Sequence, residues 1–243
     1  MEQRRKTASR PARRKPGSRI HAELAAGIGE LILNGTYPPG SLLPNEAEWG
    51  RRFRASRTAV RETIKTLNGK GLLVSRPKIG SRVEPRERWN LLDRDVMAWH
   101  RAAMDERGFL LALQEVRRIL EPGVAVLAAA RRTPEQLNGL EAALDAMRTA
   151  TGAKPMVEAD VSFHLRLLAA ANNELLAPFG IIIEQALASM FDFTTRHAAK
   201  PERILALHAD VVKAIARQDP EAARRSMAAL LDDTDGILAV RGA

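Results

Sequence analysis

The sequence predicts a mainly α protein: an N-terminal winged helix-turn-helix followed by a C-terminal all-α helical bundle that binds a ligand. Three observations point there. Positive charge is confined to the first part of the chain, with a net charge of +12 over residues 1–88 and −3 over residues 89–243. Between Arg19 and Val83 the order helix, helix, turn, helix, hairpin can be followed, and beyond position 94 every segment has helical apolar spacing. With 243 residues, 45% of them hydrophobic, the chain can bury a sizeable core as one large or two smaller domains. The absence of cysteine excludes disulfides, thiolate metal sites and cysteine nucleophiles, and it fits a cytoplasmic location. No apolar run approaches the roughly 20 residues that span a bilayer, so no membrane partner is expected.

Residues 1–18 read as a disordered basic arm, without the apolar segment a secretory signal needs. Residues 19–84 read as the winged helix-turn-helix, 85–94 as a linker and 95–243 as an all-α domain for effector binding and dimerisation. Arg19 to Asn34 carries helical spacing at Ile20, Leu24, Ile28, Leu31 and Ile32 and stops at Asn34-Gly35, a C-cap signal. "TYPPGSLLP" is a Pro/Gly turn and "NEAEWGRRF" a short helix capped by Asn45. Ser56 is the N-cap of a helix through Val60, Ile64 and Leu67 that ends around Gly69 to Gly71, and "LLVSRPKIGSRVEP" follows as a hairpin.

Residues 56–61 thus open the helix whose N-terminal end meets base edges in the major groove. Ser56, Arg57, Thr58 and Arg61 suit that place, because arginine pairs bidentately with guanine while hydroxyls and helix N-termini bind phosphate. Arg76, Lys78 and Arg82 on the hairpin are placed to follow a backbone or a minor groove. Arg57 and Arg61 alone would be ordinary solvated charges; the hairpin and the charge asymmetry favour DNA.

The second domain reads as helices over Arg94–Asp105, Gly108–Arg131, Pro134–Ala150, Pro155–Ala171, Glu174–Arg196, Glu202–Arg217 and Pro220–Leu238. Its inward polar residues stand out. Asp160 and His164, at i and i+4, share a face with Val157, Val161 and Leu168. His208 shares one with Ile204, Val211 and Ile215, and Arg117 one with Leu113, Leu120 and Val124. Buried ionic groups need partners, and a ligand carboxylate is one partner for Arg117. A lone buried histidine is ordinarily a satisfied core residue; four such groups in one domain point to an effector site, with Asp160 and His164 spaced as in helical metal sites.

The stretch "YPPGSLLPNEAEWGRRFRASRTAVRETIKTLNGKGLLVSRPKIGSRV" resembles the DNA-binding domain of GntR-type bacterial transcription regulators, over about 65 residues from Arg19 to Val83. The resemblance implies operator contacts by Ser56, Arg57, Thr58 and Arg61 and a wing glycine at Gly80. Many members carry an arginine where this chain has Ala47, so one such contact is missing. "LQEVRRILEP", "ADVSFHLRLLAAANNELL" and "IARQDPEAARRSM" are similar to the all-helical FCD-type domain of the FadR branch, over roughly residues 95–238. That branch holds a divalent metal through an aspartate and three histidines, with an organic acid completing the coordination. Asp160, His164 and His208 match three ligands, whereas Leu230 and Leu231 stand where the last histidine is expected. The metal would be Zn, Ni or Mn, or Fe. "RERWNLLDRDVMAWH" is similar to the linker of a sugar-acid-responsive member, which implies a sugar acid as effector, with Arg117 on its carboxylate and Asp160, His164 and His208 on its hydroxyls, a metal, or both. His197 matches no ligand position and is expected at the surface.

The expected function is a homodimeric, non-enzymatic transcription regulator, a repressor that leaves operator DNA when it binds a small carboxylate effector. One rival is a metal-dependent hydrolase or isomerase fused to a basic module; no Gly-x-Ser-x-Gly, no phosphate-binding glycine loop and no second acid–base motif supports it. Another is an architectural protein that binds DNA through its arm without sequence preference.

Overall fold

Proline at position 16 opens the first helix, α1 (Pro16–Leu33), three residues before the Arg19 its apolar spacing indicates. Proline's fixed φ and missing N–H suit the first helical turn. The computed structural model describes residues 16–194 and 201–239, so residues 1–15 of the expected arm and His197 lie outside the described residues. The chain divides into two units at Leu91/Leu92.

In the first unit, α2 (Glu46–Phe53) starts at a capping box: Asn45 accepts from the Glu48 amide, and Glu48 Oε2 accepts from the Asn45 amide at 2.7 Å. α3 (Arg57–Gly69) is capped by Ser56, whose Oγ accepts from the Ala59 amide. β1 (Leu73–Arg76) and β2 (Gly80–Val83) form an antiparallel wing that pairs Leu73 with Val83 and Arg76 with Gly80. Leu24, Ile28 and Ile32 of α1 are buried with Trp49, Val60 and Leu67. The apolar face of α1 is narrower than its spacing indicates, since Ile20 is 46% exposed. Tyr37 meets Trp49 edge-on and Phe53 lies tilted against it, so α2 is anchored by one indole.

The expected linker is partly folded onto this unit. Glu84 N donates to Leu72 O, Asn90 N to Lys70 O, and Trp89 Nε1 to Glu84 O at 2.9 Å. The chain turns so tightly at Gly71, with φ +75°, that a Cβ there would lie 2.1 Å from Arg88 O.

The second unit contains α4 (Arg94–Ala103), α5 (Glu106–Arg131), α6 (Pro134–Thr149), α7 (Ala153–Ala170), α8 (Gly180–Thr194), α9 (Pro201–Ala216) and α10 (Pro220–Ala239). No strand occurs among its described residues. α5 is the hub and packs against α7, α8, α9 and α10 around Val124, Ala125, Ala128, Phe163, Val211, Ile215 and Met227. It continues through Pro122, which has no N–H to offer the Arg118 carbonyl. The single helix expected over Glu174–Arg196 is corrected: Glu174–Phe179 is a 3₁₀ segment and α8 starts only at Gly180. Pro178 removes a backbone donor there, and its ring opposes a continuous α-helix. At the other end of that loop Asn172 donates to Arg131 O at 2.7 Å and accepts from Gln136, tying the end of α7 to the α5–α6 turn.

Gly71→Ala should destabilise the first unit by about 3 kcal/mol, because strain and a backbone clash add. Gly35→Ala, with φ +82° but open space around its Cβ, should cost about 1 kcal/mol from the backbone conformation alone. Urea unfolding followed by tryptophan fluorescence separates the two; equal losses would contradict the close approach at Arg88.

Candidate metal centre, effector site and nucleic-acid interface

One turn of α7 separates Asp160 from His164, and α9 brings His208 to the same point. His208 Nε2 lies 3.0 Å from Asp160 Oδ1, and His164 Nε2 lies 3.3 Å from the same atom. The three donor atoms lie within 4.8 Å of one another. His164 and His208 are buried and Asp160 is 22% exposed on its side chain, so the aspartate forms the wettest side of the group.

Each imidazole is oriented from behind. His208 Nδ1 is 2.8 Å from Ile204 O, a carbonyl that can only accept, and this contact turns Nε2 toward Asp160. His164 Nδ1 lies 2.7 Å from Glu121 Oε2, at ion-pair distance though not in hydrogen-bond alignment. Glu121 reaches across from α5, where its other oxygen accepts from Arg117 Nε at 2.6 Å. Both residues are essentially fully buried. Arg117 Nη2 is 3.4 Å from His164 Nε2, and Nη1 has no hydrogen-bond partner. The buried guanidinium beside His164 thus keeps a terminal nitrogen whose hydrogen-bonding capacity is unused.

Burial opposes ionisation of Glu121, but the Arg117 charge and then His164 outweigh it and lower the pKa to about 2. Burial would lower the pKa of His164, yet the Glu121 charge and the Asp160 contact raise it to about 9. Asp160 is held well below the usual carboxylate range by His164 and His208 despite the opposing effect of burial.

The donor set fits a divalent ion. Tetrahedral ligands about 2.0–2.2 Å from a metal stand roughly 3.3–3.5 Å apart, close to the separations around Asp160 Oδ1. Both imidazoles also have the outer partners that metal-bound histidines have. Leu230 and Leu231 are both buried, 4% and 1% exposed, and supply no fourth donor.

The structure brings Asp160, His164 and His208 together, with Arg117 beside His164. Arg117 already has an internal counter-charge in Glu121, and its Nη1 remains without a hydrogen-bond partner. The sequence reading missed Glu121, although the i, i+4 spacing of Arg117 and Glu121 signals such a pair. A cleft of about 950 Å³ between the start of α4, the end of α7 and the start of α8 contains none of these residues.

In the first unit Ser56, Arg57, Thr58 and Arg61 are exposed on the N-terminal turns of α3, and Arg76, Lys78 and Gly80 are exposed at the wing tip. Lys78 has φ 66° and Gly80 φ 103°, which shapes the three-residue loop 77–79. Two of the arginines expected at DNA have partners within this unit: Arg61 Nε donates to Glu46 Oε2 at 2.7 Å, and Arg82 turns back to the Gly40 carbonyl. Among the described residues no helix is long and apolar enough to cross a membrane.

Residues 20–83 match the bacterial regulatory proteins of the gntR family, and residues 112–233 match the FCD domain. The chain is 35% identical over 218 residues to the uncharacterized HTH-type transcriptional regulator YieP of Escherichia coli K12, covering 87% of this chain and 92% of that one. It is 33% identical over 201 residues to the galactonate operon transcriptional repressor of the same organism, covering 82% of this chain and 88% of the repressor. Among solved structures it resembles the Streptococcus agalactiae GntR, with TM-score 0.50 and 25% identity over 88% of this chain and 97% of that one. It shares its fold with Lar of Listeria monocytogenes, with TM-score 0.63 and 17% identity over 95% of this chain and all of the other.

Glu121→Ala leaves Arg117 buried without its counter-charge and should destabilise the second unit by about 3–5 kcal/mol. The double variant Arg117→Met, Glu121→Leu should recover most of that, as chemical denaturation will show; no recovery would mean the pair is not coupled. The raised pKa of His164 gives a pH signature in chelator-treated protein. Stability from this group is complete below its unfolded pKa near 6.5 and lost as pH rises toward about 9. Unfolding free energies should therefore fall across that window, and His164→Asn should flatten the fall.

Proposed function

Because the chain belongs to the gntR family of bacterial regulatory proteins, its second unit carrying an FCD domain, we propose that it is a dimeric repressor released from its operator by a sugar acid of the aldonate class. At the coarser level it is a ligand-responsive transcription regulator with a DNA-binding winged helix. The family and the relatives are transcription regulators rather than enzymes, which leaves the hydrolase reading without support.

The observation that carries the effector assignment is the convergence of Asp160 Oδ1 with the Nε2 atoms of His164 and His208, next to the Arg117 guanidinium, whose Nη2 reaches His164 and whose Nη1 has no hydrogen-bond partner. An aldonate has one carboxylate for the guanidinium and adjacent hydroxyls for imidazole and aspartate. The likeness to the galactonate operon repressor supports the same class. Asp160, His164 and His208 would hold a Zn, Ni or Mn ion, which when bound adds positive charge that draws in carboxylate and hydroxyl oxygens. Only three of its positions would be filled by protein, leaving room for effector oxygens.

On the DNA side, Ser56, Arg57, Thr58 and Arg61 read the major groove, while Arg76, Lys78 and Gly80 place the wing against the backbone or minor groove. Dimerisation sets two reading helices on two half-sites. Ile119, 77% exposed, and Leu111, 47% exposed, lie on one outer face of α5 and favour that face as the contact with a second copy.

A gel-shift with the DNA flanking the protein's own gene tests this reading. D-galactonate and related aldonates should release the complex, and the neutral sugars should not; failure to bind that DNA at low salt would sink it. Asp160→Asn should weaken the aldonate response at least about tenfold, with operator affinity retained in its absence. Ile119→Asp should shift sedimentation toward the monomer and reduce operator affinity.

A further inference from the structure

We propose that Glu46 is a specificity-determining residue that holds Arg61 in the pose for reading a guanine of the operator, an inference that rests on α3 being the recognition helix. Glu46 is the first residue of α2 and Arg61 lies in the second turn of α3, 15 positions along the chain. Their contact uses Arg61 Nε, which donates to Glu46 Oε2 at 2.7 Å. The Nε anchor leaves the terminal nitrogens Nη1 and Nη2, the pair that matches O6 and N7 of guanine, at the outer end of a side chain that is 65% exposed.

Glu46 sits on a firm base. The Asn45–Glu48 capping box fixes the start of α2, and Trp49, one turn further, is completely buried. A free arginine must give up rotamer freedom to bind a base edge, and an anchored one has already lost much of it. In water the pair contributes little, because both side chains are well exposed, 65% and 41%. In a groove from which water is displaced the same contact becomes stronger, and it aligns the guanidinium plane. Glu46 itself carries the charge that DNA repels, so its contribution falls on discrimination and not on general affinity. Position 47, beside it, is alanine and offers no donor to share the task.

The test uses the full chain. Wild type, Glu46→Gln, Glu46→Ala and Arg61→Ala are each used to enrich binders from randomised duplex DNA, and competition binding then measures base preference position by position. Arg61→Ala should lower the preference for one guanine per half-site by about 5- to 150-fold. Both Glu46 variants should lower it about tenfold at the same position, leaving the other positions intact and affinity for random-sequence duplex equal or higher. Wild-type preference retained in both Glu46 variants would overturn the proposal. So would losses spread over every position or loss of random-duplex affinity, since Glu46 would then serve the fold. A wild type that enriches no sequence overturns the recognition-helix reading as well, whereas the other outcomes leave that reading standing.

Discussion

The carboxylate of Glu121, buried between a guanidinium and an imidazole, is the contact on which the interior of the second unit depends. Arg117 on α5 and His164 on α7 could not both be buried without it, because an ionic group removed from water must meet an opposite charge at short range. The 2.6 Å and 2.7 Å contacts do this with two oxygens of one side chain. They also dictate orientation. With Nδ1 of His164 turned toward Glu121, its Nε2 has to face Asp160 and His208. The outer face of the group can then be occupied by a cation, a proton or a hydroxylated anion.

Much of this was legible along the chain. Asn45 and Ser56 announce their helices because capping is local chemistry, and the hairpin follows from Pro77 and Gly80 among β-branched and small residues. Asp160, His164 and His208 could be grouped because each sits on an otherwise apolar helical face. What escaped was contact between elements. Glu121 acquires its role only when α5 and α7 pack, and the hold of Glu46 on Arg61 depends on how α2 meets α3. Apolar spacing also runs on from Leu175 through Ile183, so it could not show that Pro178 delays α8 to Gly180.

Leucine at position 230, buried in the core of the second unit, offers the Asp160–His164–His208 group no further donor. A buried apolar side chain there neither completes a coordination sphere nor accepts a hydrogen bond, so affinity for a bare ion rests on three donors. On the proposed reading an ion and an organic acid would depend on each other, since each would supply the partner the other lacks. Reciprocal coupling of that kind makes the affinity of either ligand a function of the other's concentration.

The 26-residue helix α5 presents Arg117 and Glu121 to the interior and Leu111 and Ile119 to the outside. At about 1.5 Å per residue it is a rod close to 39 Å long. Directly after Glu121 stands Pro122, followed by Gly123, so the Arg118 carbonyl lacks its usual helical donor at the height of the buried charges. Bending stiffness is lowest where a hydrogen bond is missing. The rod therefore lacks one rung of its hydrogen-bond ladder level with the buried Arg117–Glu121 pair, and it resists bending least at the place where its interior charge is concentrated.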